Sequence, residues 1–465
     1  MVKSDVDALL PGLDCAQEAR FRRPAVGLKL SDAQLQQIAD RLFLIKSSAQ
    51  TKLTKPTNKP ADAAPGSFVA TLEDKIAKDA RFKDLGIGVV SFDQPTATSP
   101  LTASKVWLHN GDDSWRIGST GKLAILLAAL QLRDDVREVQ YLKILSKPEE
   151  FDELFQLENL WKKSKNAEKS KIQAIAGDPP RPSTIFDFAK TPVDFTGPNP
   201  ETPDKVGISG RLPADGELSW DKVPDFKFSE LLWLTGSLSD NVAATSCLSE
   251  IGLSYTKAVQ RAYGLFDEKN GMHMLLAYGY DYTNHNFKKD PVAVSAADPT
   301  GPKYRFLSAA EYNTVKDGLF VKLTKKFNDH RSYQPGSAAA LTAYMIALMQ
   351  DELVDANHES QRGIEGCKTI RNNLAAGGAQ AIESFLVTGV HDLPGVTINR
   401  QLSKIGILQE SDGEPPGGLD CEFVFLDVQD NGSGKALKYA VIATGINNSQ
   451  NGPLGAEVHK ALVSL

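Results

Sequence analysis

The hydrophobic pattern predicts a long buried helix that begins at Ser119. Within residues 115–133, leucine, isoleucine and alanine occupy every side of the helix from Leu123 onward. A helix without a polar face is normally buried in the core of a large domain. Its first turn nevertheless carries Ser119 and Lys122, which are three positions apart and therefore share one helix face.

A serine and a lysine one turn apart form a candidate activated nucleophile, because the amine can take the hydroxyl proton. The free N–H groups and the partial positive charge of a helix start also suit a developing oxyanion. A structural interpretation stays open, with Ser119 as an N-cap and Lys122 as a side chain that extends to solvent. A second Ser-x-x-Lys occurs at Ser254 and Lys257, so the pattern alone is not specific.

The letters GSTGK at residues 118–122 also resemble the end of a phosphate-binding loop. The full pattern needs glycine at position 116 and serine or threonine at position 123. Arg116 and Leu123 occupy those positions, so we exclude a phosphate-binding loop.

Segments at both chain ends predict strands, and the middle of the chain predicts helices. A single sheet made from both ends and covered by helices is the economical arrangement. The predicted strands span residues 85–92, 106–109, 401–408, 422–428 and 437–444. The predicted helices span residues 68–80, two segments of 228–253 broken at 237–241, 334–353 opened by Pro335, and 453–463.

Residues 1–66 read as an N-terminal extension and linker. Residues 30–43 fit an amphipathic helix capped by Ser31, and the polar, proline-rich stretch that follows is typical of a linker. We therefore expect the main domain over residues 67–465, with a helical subdomain at about 119–390. Residues 134–215 read as an insertion or a functional loop. Its aromatic residues are interpreted as small-core packing: Trp161, Phe186, Phe188 and Phe195.

Composition excludes several classes of protein. The chain of 465 residues is 41% hydrophobic and 24% charged, which is ordinary for a globular protein. A formal net charge of −6 leaves no basic footprint for nucleic acid. No apolar run approaches the roughly 18–20 residues that cross a bilayer. The first residues lack the apolar core of a signal peptide, which leaves open a cytoplasmic protein or one whose leader has been removed.

The cysteines and histidines indicate no metal and no cofactor. No pair of the four cysteines has metal or redox spacing, and reduced structural thiols are the favoured interpretation. The seven histidines show no H-E-x-x-H pattern.

Three short motifs follow one another along the chain: residues 119–122 (STGK), 239–241 (SDN) and 404–406 (KIG). In this order they resemble the serine β-lactamase and penicillin-binding protein superfamily, and class A β-lactamases most closely. Ser-Asp-Asn occurs once, whereas Lys-x-Gly also occurs at Lys269 and Lys316. Lys404 is preferred because its predicted strand precedes two further strands and a helix, in the family's order. The resemblance covers roughly residues 67–465.

The resemblance implies an α/β fold (an α+β sandwich) of β-lactamase/transpeptidase type, in which an antiparallel sheet from both chain ends joins an all-helical subdomain. It also implies the catalytic roles. Ser119 would attack a carbonyl, Lys122 would take its proton, and Ser239 would pass a proton toward the leaving nitrogen.

The resemblance assigns four further residues to substrate binding. Asn241 would hold the substrate amide and steady Lys122, while Lys404 would supply positive potential. Gly406 would let the substrate backbone lie against the strand. The backbone N–H groups of Ser119 and Ile407 would form the oxyanion hole.

Three departures from the family pattern change the expected chemistry. Ile405 and Ile407 stand where relatives use hydroxyl groups to bind a substrate carboxylate, and an isoleucine side chain donates no hydrogen bond. The E-x-x-L-N context of the class A deacylation base is missing; of Glu268 and Glu311, Glu311 is the better guess. Ser119 and Ser239 are also separated by more chain than in relatives. A missing base favours a long-lived acyl-enzyme.

The sequence therefore predicts a serine-nucleophile acyl hydrolase that acts on an amide, lactam or ester. The alternatives are a penicillin-binding D-alanyl carboxypeptidase or esterase, and a non-turnover binding or sensor protein. The expected partner is a small-molecule or peptide substrate. The family resemblance implies a periplasmic or secreted location, and the oligomeric state stays open.

Overall fold

A computed structural model describes residues 27–46, 53–56, 64–96, 99–113, 115–165, 169–177, 179–199, 207–208, 210–212, 216, 218–265, 292–293, 305–306, 335–353, 360–375, 384–408 and 419–465. Cys15, Glu268 and Glu311 lie outside these residues, as does the Lys-x-Gly at Lys269 and that at Lys316.

A five-stranded antiparallel sheet joins the two ends of the chain. Its order is β2–β1–β11–β10–β9, so strands from both ends meet where β1 pairs with β11. The predicted combination of helices with one antiparallel sheet from both ends is confirmed. The strands are β1 (Gly86–Asp93), β2 (Thr102–His109), β9 (Val396–Leu408), β10 (Leu419–Asp430) and β11 (Lys435–Ile446). Three two-residue pairs complete the set: β3 (Trp115–Arg116) with β8 (Pro335–Gly336), β4 (Phe186–Asp187) with β5 (Asp194–Phe195), and β6 (Val292–Ala293) with β7 (Arg305–Phe306).

The terminal strands are longer than the hydrophobic pattern predicts. Cross-strand pairing of β10 with β11 continues to the hairpin turn, where Asp430 pairs with Lys435. Backbone hydrogen bonds hold these polar residues in the ladder, and a hydrophobic pattern does not register them. Among the described strands, β9 pairs with β10 alone and forms one edge of the sheet.

Helices cover the sheet and form a large body beside it. They are α1 (Asp32–Ala39), α2 (Phe43–Lys46), α3 (Phe68–Leu72), α4 (Leu123–Tyr141), α5 (Pro148–Gln156), α6 (Glu158–Lys162), α7 (Lys169–Gln173), α8 (Pro182–Ile185), α9 (Phe228–Trp233), α10 (Asn241–Ile251), α11 (Leu253–Ala262), α12 (Ala338–Met349), α13 (Ser360–Leu374), α14 (Phe385–His391) and α15 (Asn448–Val463). In the part of the chain described, no helix combines the length and apolarity that a membrane span requires.

The sheet separates two hydrophobic cores, because successive side chains of a strand point to opposite faces. On β10, Val424 packs with α3, α14 and α15 in the smaller core. Its neighbours Phe423 and Phe425 face the helical body and the larger core. The site discussed below lies where that helical body meets edge strand β9.

The buried helix predicted from Ser119 exists, but its start differs. Residues Gly118–Lys122 form a 3₁₀ turn, and the α-helix α4 runs from Leu123 to Tyr141. Buried charges extend α4 beyond its apolar stretch, because they find partners. Arg133 and Arg137 contact Asp194 and Glu365.

The N-terminal segment of residues 27–46 packs into the same core as α4. Ser31 caps α1 as predicted, accepting a hydrogen bond from the Gln34 N–H at 3.2 Å. Ile38 and Phe43 are buried, and the Phe43 N–H donates to Asp135 Oδ1 of α4 at 2.9 Å. The division at residue 66 and the insertion at 134–215 stay predictions, although part of the extension is core.

The aromatic residues of the 134–215 stretch are packing residues, as predicted. Phe186 and Phe195 face each other across β4 and β5 with ring centroids 5.4 Å apart. Trp161 is buried, and Phe188 packs on the core as a half-buried side chain. Cys247, Cys367 and Cys421 are buried, and no disulfide joins any two of these three.

Two predicted helices begin or end differently. Pro335 does not open α12: it pairs with Arg116 in the β8–β3 ladder, and Ser337 caps the helix instead. The helix predicted over residues 68–80 is α-helical only to Leu72, after which Glu73–Ala77 form a π turn.

Phe43→Ala tests whether the N-terminal segment is part of the core. Loss of this fully buried ring should lower the free energy of unfolding by about 3–5 kcal/mol. The control Gln37→Ala, at an exposed position of α1, should stay within about 0.5 kcal/mol of wild type. Equal midpoints for the two variants in urea unfolding would mean that the segment is dispensable.

Candidate active site

Ser119 lies on the 3₁₀ turn that joins the sheet edge to α4. The turn packs against β9 and β10, and the Thr120 hydroxyl donates to the Cys421 carbonyl at 3.4 Å. In a 3₁₀ turn, residues three apart eclipse one another, so Ser119 and Lys122 lie on one face. Ser119 is half-buried and reachable from solvent, whereas Lys122 is fully buried beneath it.

Two glycines let the chain before Ser119 lie directly on the sheet. A Cβ atom at position 406 would stand 1.9 Å from the Ile117 carbonyl oxygen, closer than any side chain allows. At Gly445, which has φ +73°, a Cβ atom would lie 2.2 Å from the Trp115 ring. Because these two positions have no side chain, the segment that precedes Ser119 can lie in direct contact with β9 and β11.

The S-D-N motif follows a distorted helix end. Helix α9 continues into a π turn, Leu234–Leu238, and Ser239 then adopts φ 60° and ψ 26°. A non-glycine residue in this left-handed region is uncommon and is typical of functional turns. The conformation reverses the chain, so that Ser239 and Asn241 both face Lys122.

Asp240 secures this reversal and is the member of the motif with a structural role. It caps α10, where Oδ1 accepts the Ala243 N–H at 2.7 Å and Oδ2 accepts the Leu218 N–H at 2.8 Å. Burial raises the pKa of this carboxyl, while the two backbone N–H groups and the charge of Lys122 act in the opposite direction. Asp240 thus joins the motif to the chain at Leu218.

The hydroxyl of Ser239 lies between two buried lysine amines. Lys404 Nζ is 2.6 Å from Ser239 Oγ, and Lys122 Nζ is 3.3 Å from the same oxygen. Both lysines are enclosed, while Ser239 is half-buried. A hydroxyl held by two amines in a site of low polarity can relay a proton from one to the other.

Lys122 is held by the S-D-N turn. Its amine donates to the Ser239 carbonyl and, at 2.6 Å, to Asn241 Oδ1. These contacts hold the amine on the face of the 3₁₀ turn that also carries Ser119.

Lys404 lies on edge strand β9, and its charge changes near neutral pH. Burial lowers its pKa to about 7, and a small opposing contribution comes from the neighbouring Cys421 thiol. The amine also donates to the Ile405 carbonyl at 3.1 Å. Near neutral pH the site therefore contains both the protonated and the neutral form of Lys404.

Ile405 faces away from these groups. Strand alternation places Lys404 and Gly406 on one face of β9 and Ile405 on the other. Ile405 pairs across the sheet with Glu422, whose carboxylate accepts the Ser384 hydroxyl and the Leu386 N–H at the start of α14. The isoleucine is thus a core residue beneath the edge strand.

The structure brings together all the predicted site residues on three elements. They are Ser119 and Lys122 on the first turn, Ser239 and Asn241 on the S-D-N turn, and Lys404, Gly406 and Ile407 on β9. The competing pair Ser254 and Lys257 is buried on α11, as structural residues would be. The two candidate deacylation bases lie outside the described residues.

Sequence reasoning missed the residues that support the site from behind. Trp115 and Gly445 position the Ser119 turn, and Asp240 positions the S-D-N turn. Gly445 contacts an aromatic ring 330 positions earlier in the chain, and no local sequence pattern indicates such a contact. Only the cap at Asp240 had a signal, namely an aspartate directly before a helical pattern. Within the described residues, no three His, Cys, Asp or Glu side chains cluster as metal ligands.

Comparison with known proteins gives structural likeness without sequence likeness. No family model matches the chain, and no curated protein sequence matches it. A β-lactamase from Sphaerobacter thermophilus is 13% identical, with a TM-score of 0.38, covering 86% of this chain and 97% of its own. The class A β-lactamase from Mycobacterium abscessus gives 13% identity and a TM-score of 0.38, with 86% and 99% covered. One from Bacteroides cellulosilyticus gives 13% and 0.38, with 87% and 100% covered.

Likeness at this level concerns the fold alone.

Gly406→Ala tests the close approach of the Ser119 turn. The new methyl group collides with the Ile117 carbonyl, so we expect a loss of about 1–3 kcal/mol in the free energy of unfolding. Gly432→Ala is the control, because a Cβ atom there meets nothing closer than 3.4 Å. A crystal structure of the Gly406→Ala variant should show the Ser119 turn displaced; an unmoved turn with unchanged stability would refute the close approach.

Proposed function

We propose that this protein is a serine-nucleophile acyl hydrolase of the β-lactamase and penicillin-binding type. One observation carries the proposal: Ser239 Oγ stands 2.6 Å from Lys404 Nζ and 3.3 Å from Lys122 Nζ, next to the turn that presents Ser119. A nucleophile with a buried amine and a hydroxyl relay is the arrangement that acyl transfer requires. The motif order along the chain supports the same interpretation.

Acylation would proceed in two stages, attack and collapse, with three proton transfers. Ser119 Oγ attacks the acyl carbon while its proton passes to neutral Lys122, and the backbone N–H groups of Ser119 and Ile407 bind the oxyanion. When the tetrahedral intermediate collapses, the bond to the leaving atom breaks. That atom takes the Ser239 hydroxyl proton, which the Lys122 ammonium replaces. The products are an ester on Ser119 and a neutral amine or alcohol.

A class A-like β-lactamase is the most specific form of the proposal, and a D-alanyl carboxypeptidase or esterase is close behind it. Hydrolysis of the ester needs a base for water, and the sequence lacks the E-x-x-L-N context of the class A base. A slow second step favours the carboxypeptidase, esterase or sensor forms.

A non-turnover binding protein is the second candidate. It is favoured by Ile405 and Ile407, whose side chains donate no hydrogen bond to a substrate carboxylate. In that case the cleft would hold a ligand without forming a covalent bond.

Intact-protein mass after incubation with β-lactams and activated esters tests the proposal. Wild type should either gain the mass of one acyl group or consume the reagent, and Ser119→Ala should do neither. Ser254→Ala, which removes the serine of the other Ser-x-x-Lys, should behave as wild type. A persistent adduct indicates slow deacylation, and turnover without an adduct indicates a water-activating base.

Acylation that persists in Ser119→Ala would contradict the role of Ser119. If wild type neither forms an adduct nor consumes any reagent, the catalytic proposal fails and the binding protein remains.

The pH dependence of kcat/KM tests the role of Lys404. If its ammonium supplies the positive potential, kcat/KM falls by about tenfold per pH unit above the pKa of about 7, because the charged form disappears. Lys404→Arg retains its charge at every accessible pH, so its profile should stay flat through that range, whatever its absolute rate. A rate that instead rises through pH 7 in wild type and not in Lys404→Arg would contradict this role and identify neutral Lys404 as a base.

A further inference from the structure

Helix α13 packs directly against the backbone of the turn that carries Ser239. A Cβ atom at Gly236, in the π turn, would lie 2.9 Å from the Asn373 Cβ atom, so only a glycine lets the two elements approach this closely. The neighbouring Ser237 hydroxyl donates to the Asn373 carbonyl at 2.5 Å. One residue of α13 thus contacts two consecutive residues of the turn, through packing and through a hydrogen bond.

Asn373 is held rigidly in place. Its side chain is fully buried, and its amide donates to the Thr369 carbonyl of the preceding helical turn at 2.8 Å. In the described structure its Oδ1 atom is enclosed and accepts no hydrogen bond. A buried acceptor without a donor costs stability, so the packing of α13 against the turn has to offset that cost.

The turn needs support of this kind. Ser239 has the left-handed conformation, which costs free energy and persists only where the surrounding structure enforces it. Asp240 fixes the chain after Ser239 through the Leu218 and Ala243 N–H groups. The contacts with Asn373 fix the chain before it, so the turn is held on both sides.

We infer that Asn373 is a positioning residue, which holds the π turn from behind and so sets Ser239 Oγ between Lys122 and Lys404. It acts through its contacts with Gly236 and Ser237. The part of the inference that concerns acylation rests on the proposed function. The position of Ser239 Oγ between the two lysines can be measured without any substrate.

The test adds a side chain at Gly236 and then removes the side chain of Asn373 that it would collide with. Gly236→Ala adds the colliding methyl group and should displace Ser239. Gly236→Ala combined with Asn373→Gly removes the obstructing Cβ atom while the Asn373 carbonyl remains for Ser237. The double variant should therefore recover the wild-type site. Ser237→Ala removes only the hydrogen bond and adds no bulk, so it serves if Gly236→Ala does not fold.

The control is Thr369→Val. Thr369 is equally buried on α13, one helical turn from Asn373, and its hydroxyl donates only to the Glu365 carbonyl of the same helix. Its loss should lower stability without moving the Ser239 turn.

The first readout is the titration of Lys404, followed by the chemical shift of ¹³Cε-labelled lysine and assigned with Lys404→Arg. A buried ammonium that loses its hydroxyl acceptor has a lower pKa. Ser239→Ala, which removes that acceptor, should therefore lower the pKa of Lys404 by about one unit from a midpoint near 7, and this shift is the reference for the other variants. Gly236→Ala and Ser237→Ala should shift the midpoint in the same direction. The double variant and Thr369→Val should titrate as wild type.

The second readout is acylation of Ser119. Gly236→Ala should lower kcat at least tenfold with little change in KM, and the double variant should recover most of it. A Lys404 midpoint that stays at the wild-type value in both Gly236→Ala and Ser237→Ala would overturn the inference, as would a double variant no better than Gly236→Ala. If wild type is not acylated at all, the proposed function fails, and the titration alone decides the role of Asn373.

Discussion

The candidate site depends on burying two lysine amines around one hydroxyl. Removing an ammonium from water is costly unless hydrogen bonds replace its hydration. Here the replacement comes from the S-D-N turn, because Ser239 and Asn241 accept from Lys122, and Ser239 also accepts from Lys404. The same burial that makes these contacts necessary lowers the pKa of Lys404 to about 7, so one constraint sets both the geometry and the charge of the site.

The rest of the fold serves this arrangement by bringing three distant segments into contact. Lys122 starts the central buried helix, Ser239 follows α9, and Lys404 lies on an edge strand near the end of the chain. The sheet joins the chain ends through β1 and β11, so the strand that carries Lys404 lies beside the turn that carries Ser119. Gly406 and Gly445 then let that turn lie directly on the strands.

Much of this was accessible from sequence, because the chemistry is concentrated in short motifs and the elements follow hydrophobic patterns. Ser119 and Lys122 were proposed from residue type and spacing and Ser239 from the family resemblance of the ordered motifs, while the five main strands were predicted with ends within about five residues of those observed. The sequence did not predict three features that depend on tertiary contacts or on turn geometry. They are the 3₁₀ turn before α4, the pairing of Pro335 with Arg116, and the packing of Phe43 into the core. Each depends on a partner more than 80 positions away or on a turn geometry that no local pattern encodes.

A crystal structure with a boronic acid bound tests the central claim most directly, because boron forms a tetrahedral adduct with an activated serine. The account predicts a bond from boron to Ser119 Oγ, with one boron-bound oxygen at the N–H groups of Ser119 and Ile407 and the other near Ser239 Oγ. Ser239 should keep its contact with Lys404 in that complex. An adduct on another side chain, or a Ser239 hydroxyl turned away from both lysines in the complex, would contradict it.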